Sequence, residues 1–147
     1  MRTTADTIEV EAGLFGQKLI DGLHGAHDLS LLRGWMHPGA QHSPHMHDVQ
    51  EAVLFVSGRG FVEIEGSRHE VGPGDRLLIP ARTVHSTFNH GNEDLCFVAA
   101  FADGFIDVRP VPDHATETRR HGWRRSAATL LLWCAERLAP HSAGRLS

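Results

Sequence analysis

The residues of this chain best suited to chemistry sit in one short stretch, His45-Met46-His47-Asp48-Val49-Gln50-Glu51. In an extended segment, side chains two apart share a face, so His45 and His47 converge on one point while Met46 faces away. A turn at Asp48-Val49-Gln50 returns the Glu51 carboxylate toward the same point. Two imidazoles and a carboxylate on a rigid β framework suit a divalent transition metal and leave positions open for a substrate. Each imidazole must be neutral to bind, so such a site weakens as pH falls below about 6.

Holding such a cluster takes short, stiff elements, and from Leu14 to about Arg109 the sequence supplies them. Leu29 to Met36 reads as a strand ended by His37-Pro38-Gly39, and Ala52 to Ser57 as an apolar strand stopped by Gly58. Phe61-Val62-Glu63-Ile64-Glu65 alternates in the period-two manner of a half-buried strand, and Glu65-Gly66-Ser67 is a hairpin signal. Strands at Arg76–Ile79, Val84–Phe88 and Leu95–Phe101 follow, each closed by Pro, Gly or Asn. This spacing predicts an all-β jelly-roll or barrel without βαβ alternation. Three segments result: an N-terminal strand or arm over 1–24, a β-barrel over 25–109, and a C-terminal extension over 110–147. In the extension, Arg119 to Arg125 is a basic run around Trp123, read as a solvated connector. Ser126 caps a predicted helix over 126–138 that Pro140 halts.

Composition narrows the function classes. The 147 residues carry a net charge of −4, which lacks the basic footprint of a nucleic-acid binder. No hydrophobic leader follows Met1, and the longest apolar stretch, Ala127 to Ala135, is too short to span a bilayer. Two cysteines build no disulfide framework, so the expected setting is the reducing cytoplasm. Twelve histidines exceed what packing needs, and the absence of tyrosine removes any mechanism that relies on a tyrosine acid, base or crosslink.

Gly39, His45, His47, Glu51 and Gly58 stand at the spacing of the first motif of the cupin superfamily, which this chain resembles. Gly74, Pro80, His85 and Asn89 meet the second motif, with Arg82 standing where that motif has glycine. The fifteen residues between the motifs, Arg59 to Pro73, suit a compact single-domain cupin. The resemblance covers about residues 25 to 105. It implies a cupin-type jelly-roll barrel and one divalent metal (iron, manganese, nickel, cobalt or zinc) held by His45, His47, Glu51 and His85. It also implies a small-molecule substrate and a homodimer formed through barrel edges. His37 and His42 lie near the motif but off it, and are read as loop histidines.

Strand parity sketches the pocket. With Glu51 inward, Val53 and Phe55 follow; with His85 inward, Thr87 and Asn89 follow. Arg82 places a cation near the pocket mouth. Arg33 and Trp35 share one face of their strand, opposite Leu32 and Met36. If that face lines the pocket, Arg33 grips a substrate carboxylate and Trp35 stacks on a ring; if not, Arg33 points outward and Trp35 meets a second subunit. Lacking tyrosine, the chain fits poorly with the thiol dioxygenases, sugar-nucleotide epimerases and small sulfonium lyases among cupins. An oxygenase is the expected activity, with Glu51 as both ligand and base toward an enolic proton. A non-redox isomerase, cyclase, lyase or decarboxylase stands close behind, and a non-catalytic binding shell is the third reading.

Overall fold

The computed structural model describes residues 6–111, so the basic run and the helix expected over 126–138 lie outside the described residues. Eleven strands make up just over half of it. They are β1 (Thr7–Glu11), β2 (Leu14–Ile20), β3 (Ser30–Met36), β4 (Gln41–Met46), β5 (Glu51–Ser57) and β6 (Gly60–Ile64). β7 (Ser67–Val71), β8 (Arg76–Ile79), β9 (His85–Phe88), β10 (Leu95–Phe101) and β11 (Arg109–Pro110) complete the set. One sheet runs β1-β2-β3-β10-β5-β8 and the other β11-β4-β9-β6-β7. All pairs are antiparallel, and the jumps from β3 to β10 to β5 are those of a jelly-roll. Among the described residues, no helix is long and apolar enough to cross a membrane.

The core lies between the sheets and follows strand alternation. β3 buries Ser30, Leu32, Gly34 and Met36, and β5 buries Glu51, Val53 and Phe55. Val62 on β6 and Leu95, Ala99 and Phe101 on β10 join them. Val10 and Leu14, within the segment read as a strand or arm, belong to the same buried cluster. Burying side chains of this size contributes about 1.5–3 kcal/mol each relative to exposure.

The second motif's asparagine has a structural task. Buried Asn89 donates its amide to the Met36 and Glu93 carbonyls at 2.7 and 2.8 Å and accepts from Gly91 N–H at 2.9 Å. It thereby ties the β9–β10 turn to the end of β3. Its amide is fully engaged with backbone and offers nothing to a ligand.

Candidate metal centre

Three strands from two sheets bring the chemical residues together. His45 is the penultimate residue of β4 and His47 follows its end, His85 opens β9 beside β4, and Glu51 opens β5 in the opposite sheet. His45 and His85 are register partners. One ligand atom from each of the four residues lies within 4.8 Å of all the others, and all four residues are buried.

The hydrogen bonds fix the tautomers. Nδ1 of His45 donates to the Ser43 carbonyl at 2.7 Å, that of His47 to the Asp107 carbonyl at 2.6 Å, and that of His85 to the Thr83 carbonyl at 2.9 Å. A carbonyl only accepts, so each Nδ1 carries the proton and each neutral ring turns a bare Nε2 lone pair inward. Those of His85 and His47 lie 3.0 and 3.4 Å from Glu51 Oε2. With neutral rings, Glu51 Oε2 and His85 Nε2 are buried acceptors without a donor. Four acceptors aimed at one another in a buried site could hold a cation between them, and three imidazoles with one carboxylate are a donor set suited to a divalent metal.

In the metal-free protein a proton is the substitute cation. Burial pushes the His47 imidazole down, but its hydrogen bond to Glu51 and that carboxylate's charge outweigh burial and hold it above its ordinary value. Burial alone would raise the Glu51 carboxyl, yet the His47 and His85 imidazoles that face it bring it down to about 2. Burial, reinforced by the neighbouring imidazoles, holds His45 well below its usual range. Metal must therefore displace a proton from His47 wherever pH lies below that raised value. Apparent metal affinity is expected to fall by up to about tenfold per pH unit on acidification from pH 8 to pH 6. Competition against a chelator across that range checks it, and a flat profile would rule the assignment out.

A fourth imidazole belongs to the site. The register between β4 and β9 shifts between His42 and His45, so a bulge at Ser43-Pro44 turns residues three apart onto the same face. The His42 ring packs at a tilt of 31° against His45, with centroids 3.8 Å apart. Burial, aided by His85, lowers its pKa to about 3, so it stays neutral at physiological pH. Reading it as a loop histidine missed this. The signal available was Pro44, a residue that marks bulges inside strands. His37 is elsewhere, exposed and bonded to Asp94 at 2.8 Å.

The remaining pocket residues divide. Thr87 is half-buried opposite His42 and Val62, on the ligand face. Phe55, 1% exposed, is a core residue with its ring 6.2 Å from Phe97. Arg33 and Trp35 are not brought to the cluster. β3 turns Leu32 and Met36 inward, leaving Arg33 on the outer face, 5.4 Å above the Trp35 ring. Arg82 is 78% exposed and turned toward Asp48 rather than the ligands. Its backbone takes the left-handed conformation, φ 61°, that the motif's glycine would adopt without strain, and its N–H donates to the His47 carbonyl at 2.6 Å.

Residues 35–101 match the family model of the cupin domain, so this stretch of the barrel is a cupin domain. A curated relative, dimethylsulfoniopropionate lyase DddW of Ruegeria pomeroyi, is 39% identical over 91 residues. That match covers 61% of this chain and 59% of the relative's length. The polyketide cyclase RemF of Streptomyces resistomycificus superposes with a TM-score of 0.65 at 21% identity, over 76% of this chain and 86% of that one. Oxalate decarboxylase of Bacillus subtilis does so with a TM-score of 0.65 at 21% identity, over 72% of this chain and 29% of that one. At such identity the two structures speak for the fold alone. The lyase relative corrects one expectation: lacking tyrosine does not set this chain apart from proteins named for sulfonium cleavage.

Proposed function

We propose that the protein is a metal-dependent enzyme of the non-redox lyase, cyclase or decarboxylase type, acting on a small organic acid. The observation that carries it is the set of buried acceptor atoms of His45, His47, Glu51 and His85, with all three tautomers fixed by backbone carbonyls. A divalent cation held there would polarise a substrate carboxylate or carbonyl and acidify the adjacent C–H bond. The chain's own residues do the rest. The three carbonyl-anchored rings present their lone pairs without reorganisation, and the buried Phe101 ring, 4.8 Å from that of His47, helps keep water away.

The named lyase relative favours this type over the oxygenase expected from the motifs. So does Glu51: a carboxylate engaged as a ligand among His45, His47 and His85 has its lone pairs turned to the cation, which weakens the case for its taking an enolic proton. The homodimer implied by the cupin resemblance draws support from Leu54, Val56 and Leu78, apolar side chains exposed on neighbouring strands β5 and β8.

The test is turnover with and without oxygen. Protein loaded separately with iron(II), manganese, cobalt, nickel or zinc is offered dimethylsulfoniopropionate, oxalate and a panel of small acids and enols. Equal rates of substrate loss in air and under nitrogen are expected for at least one compound. Oxygen uptake stoichiometric with substrate loss would overturn the reading in favour of an oxygenase. Metal uptake without any turnover would leave a binding shell.

A further inference from the structure

We infer that Asp48 and Arg109 form a latch that orients the candidate ligand His47 from outside the barrel, which makes both of them positioning residues of the centre. The inference rests on the metal reading above. Its starting point is an asymmetry among the three imidazoles. His45 and His85 each donate Nδ1–H to a carbonyl two residues back on their own chain segment, Ser43 and Thr83. His47 alone is oriented by a distant part of the sequence, the carbonyl of Asp107 sixty residues on.

That carbonyl belongs to a strap. After β10 the chain does not leave the barrel but returns along β4, burying Ile106 and Val108 on either side of Asp107. Arg109 and Pro110 then pair with Met46 and His45, and Val111 N–H donates to the Pro44 carbonyl at 3.1 Å. A two-residue ladder at a sheet edge is a weak fastening. The side chains add a second one. Arg109 donates through Nη2 to Asp48 Oδ2, and its Nε lies 3.2 Å from Asp107 Oδ2. Asp48 follows His47 directly, and its other oxygen faces Arg82 Nε at 3.4 Å. One guanidinium thus joins the residue beside the ligand to the residue whose carbonyl sets the ligand's tautomer. If the strap lifts, the His47 ring loses its only Nδ1 partner among the described residues and is free to swing its Nε2 out of the cluster.

Losing a metal ligand's direct hydrogen-bond partner costs about 10–100-fold in affinity. The latch acts one step further out, and its side chains are partly exposed, 32% for Asp48 and 52% for Arg109. The expected loss is therefore about five- to tenfold. The test uses the full chain with cobalt(II) as the probe. Arg109→Gln and Asp48→Asn should each bind cobalt about five- to tenfold more weakly, release it faster and shift its d–d absorption, with Arg109→Lys recovering most of the loss. Arg68→Gln, which breaks an ion pair with Glu70 on β7 away from the strap, should change none of these. The unfolding midpoint of the metal-free variants should stay within about 4 °C of wild type. Latch variants that bind cobalt as wild type does would overturn the proposal. So would a loss of affinity matched by a large fall in the metal-free midpoint, which would make the pair a general brace. A wild-type chain that takes up no cobalt would overturn the metal reading itself, and the latch with it.

Discussion

Changing His45 or His85 to alanine is expected to strip the purified protein of nearly all bound metal while leaving a folded β domain. Each substitution deletes one of four inward lone-pair donors. A missing outer-shell partner already costs about 10–100-fold, so a missing ligand should exceed a hundredfold. The fold should survive because the cluster contributes little to it without a cation. His85 Nε2 and Glu51 Oε2 face each other at 3.0 Å, and a neutral ring there adds repulsion rather than cohesion. The truncation leaves a cavity smaller than that from a large core hydrophobe, so metal-free stability should change by no more than about 2 kcal/mol. Elemental analysis beside far-ultraviolet circular dichroism checks both halves. Undiminished metal in both variants would show that the cation, if any, is bound elsewhere, and the lyase reading would lose its centre.

What could be read before the structure was known is what depends on local period. Two-residue alternation places His45 with His47 and Glu51 with Val53 and Phe55, and the fold keeps those groupings because β4 and β5 are regular where they occur. His85 is different. Nothing near it in sequence ties it to β4, and only the motif resemblance brought it in; its place comes from β9 pairing beside β4. His42 escaped because a bulge changes the counting rule from two residues to three, and a bulge has no reliable local signature beyond Pro44. Arg33 and Trp35 show the converse limit. Alternation groups them correctly but does not say which face of β3 is inside, since Leu31 and Trp35 on one face are as apolar as Leu32 and Met36 on the other. The surroundings of Glu51 were equally illegible, since its 3.0 Å approach to His85 joins residues brought together only by the folded sheets.

Gly58→Ala should be among the most damaging single changes in the barrel, although it touches no ligand. Gly58 closes the first motif and sits just past β5 with φ of 78°. A side chain costs about 1–2 kcal/mol in that left-handed region on backbone grounds alone. The surroundings make it worse. A Cβ built there would lie 2.3 Å from the Asp94 carbonyl oxygen and 2.7 Å from Leu95 Cα. Both are main-chain atoms at the start of β10, so relief requires moving the strand rather than a rotamer. β10 pairs with β3 on one side and β5 on the other, and Leu95 is fully buried, so a shift there opens the ladder and loosens the core together. Conformational strain and backbone displacement together should exceed about 3 kcal/mol, roughly 10–20 °C in unfolding midpoint for a domain of this size. Thermal unfolding of the metal-free variant measures it. A midpoint within about 4 °C of wild type would mean that β10 yields easily at this corner, and that the motif's glycine spacing reflects something other than the close approach of β5 and β10.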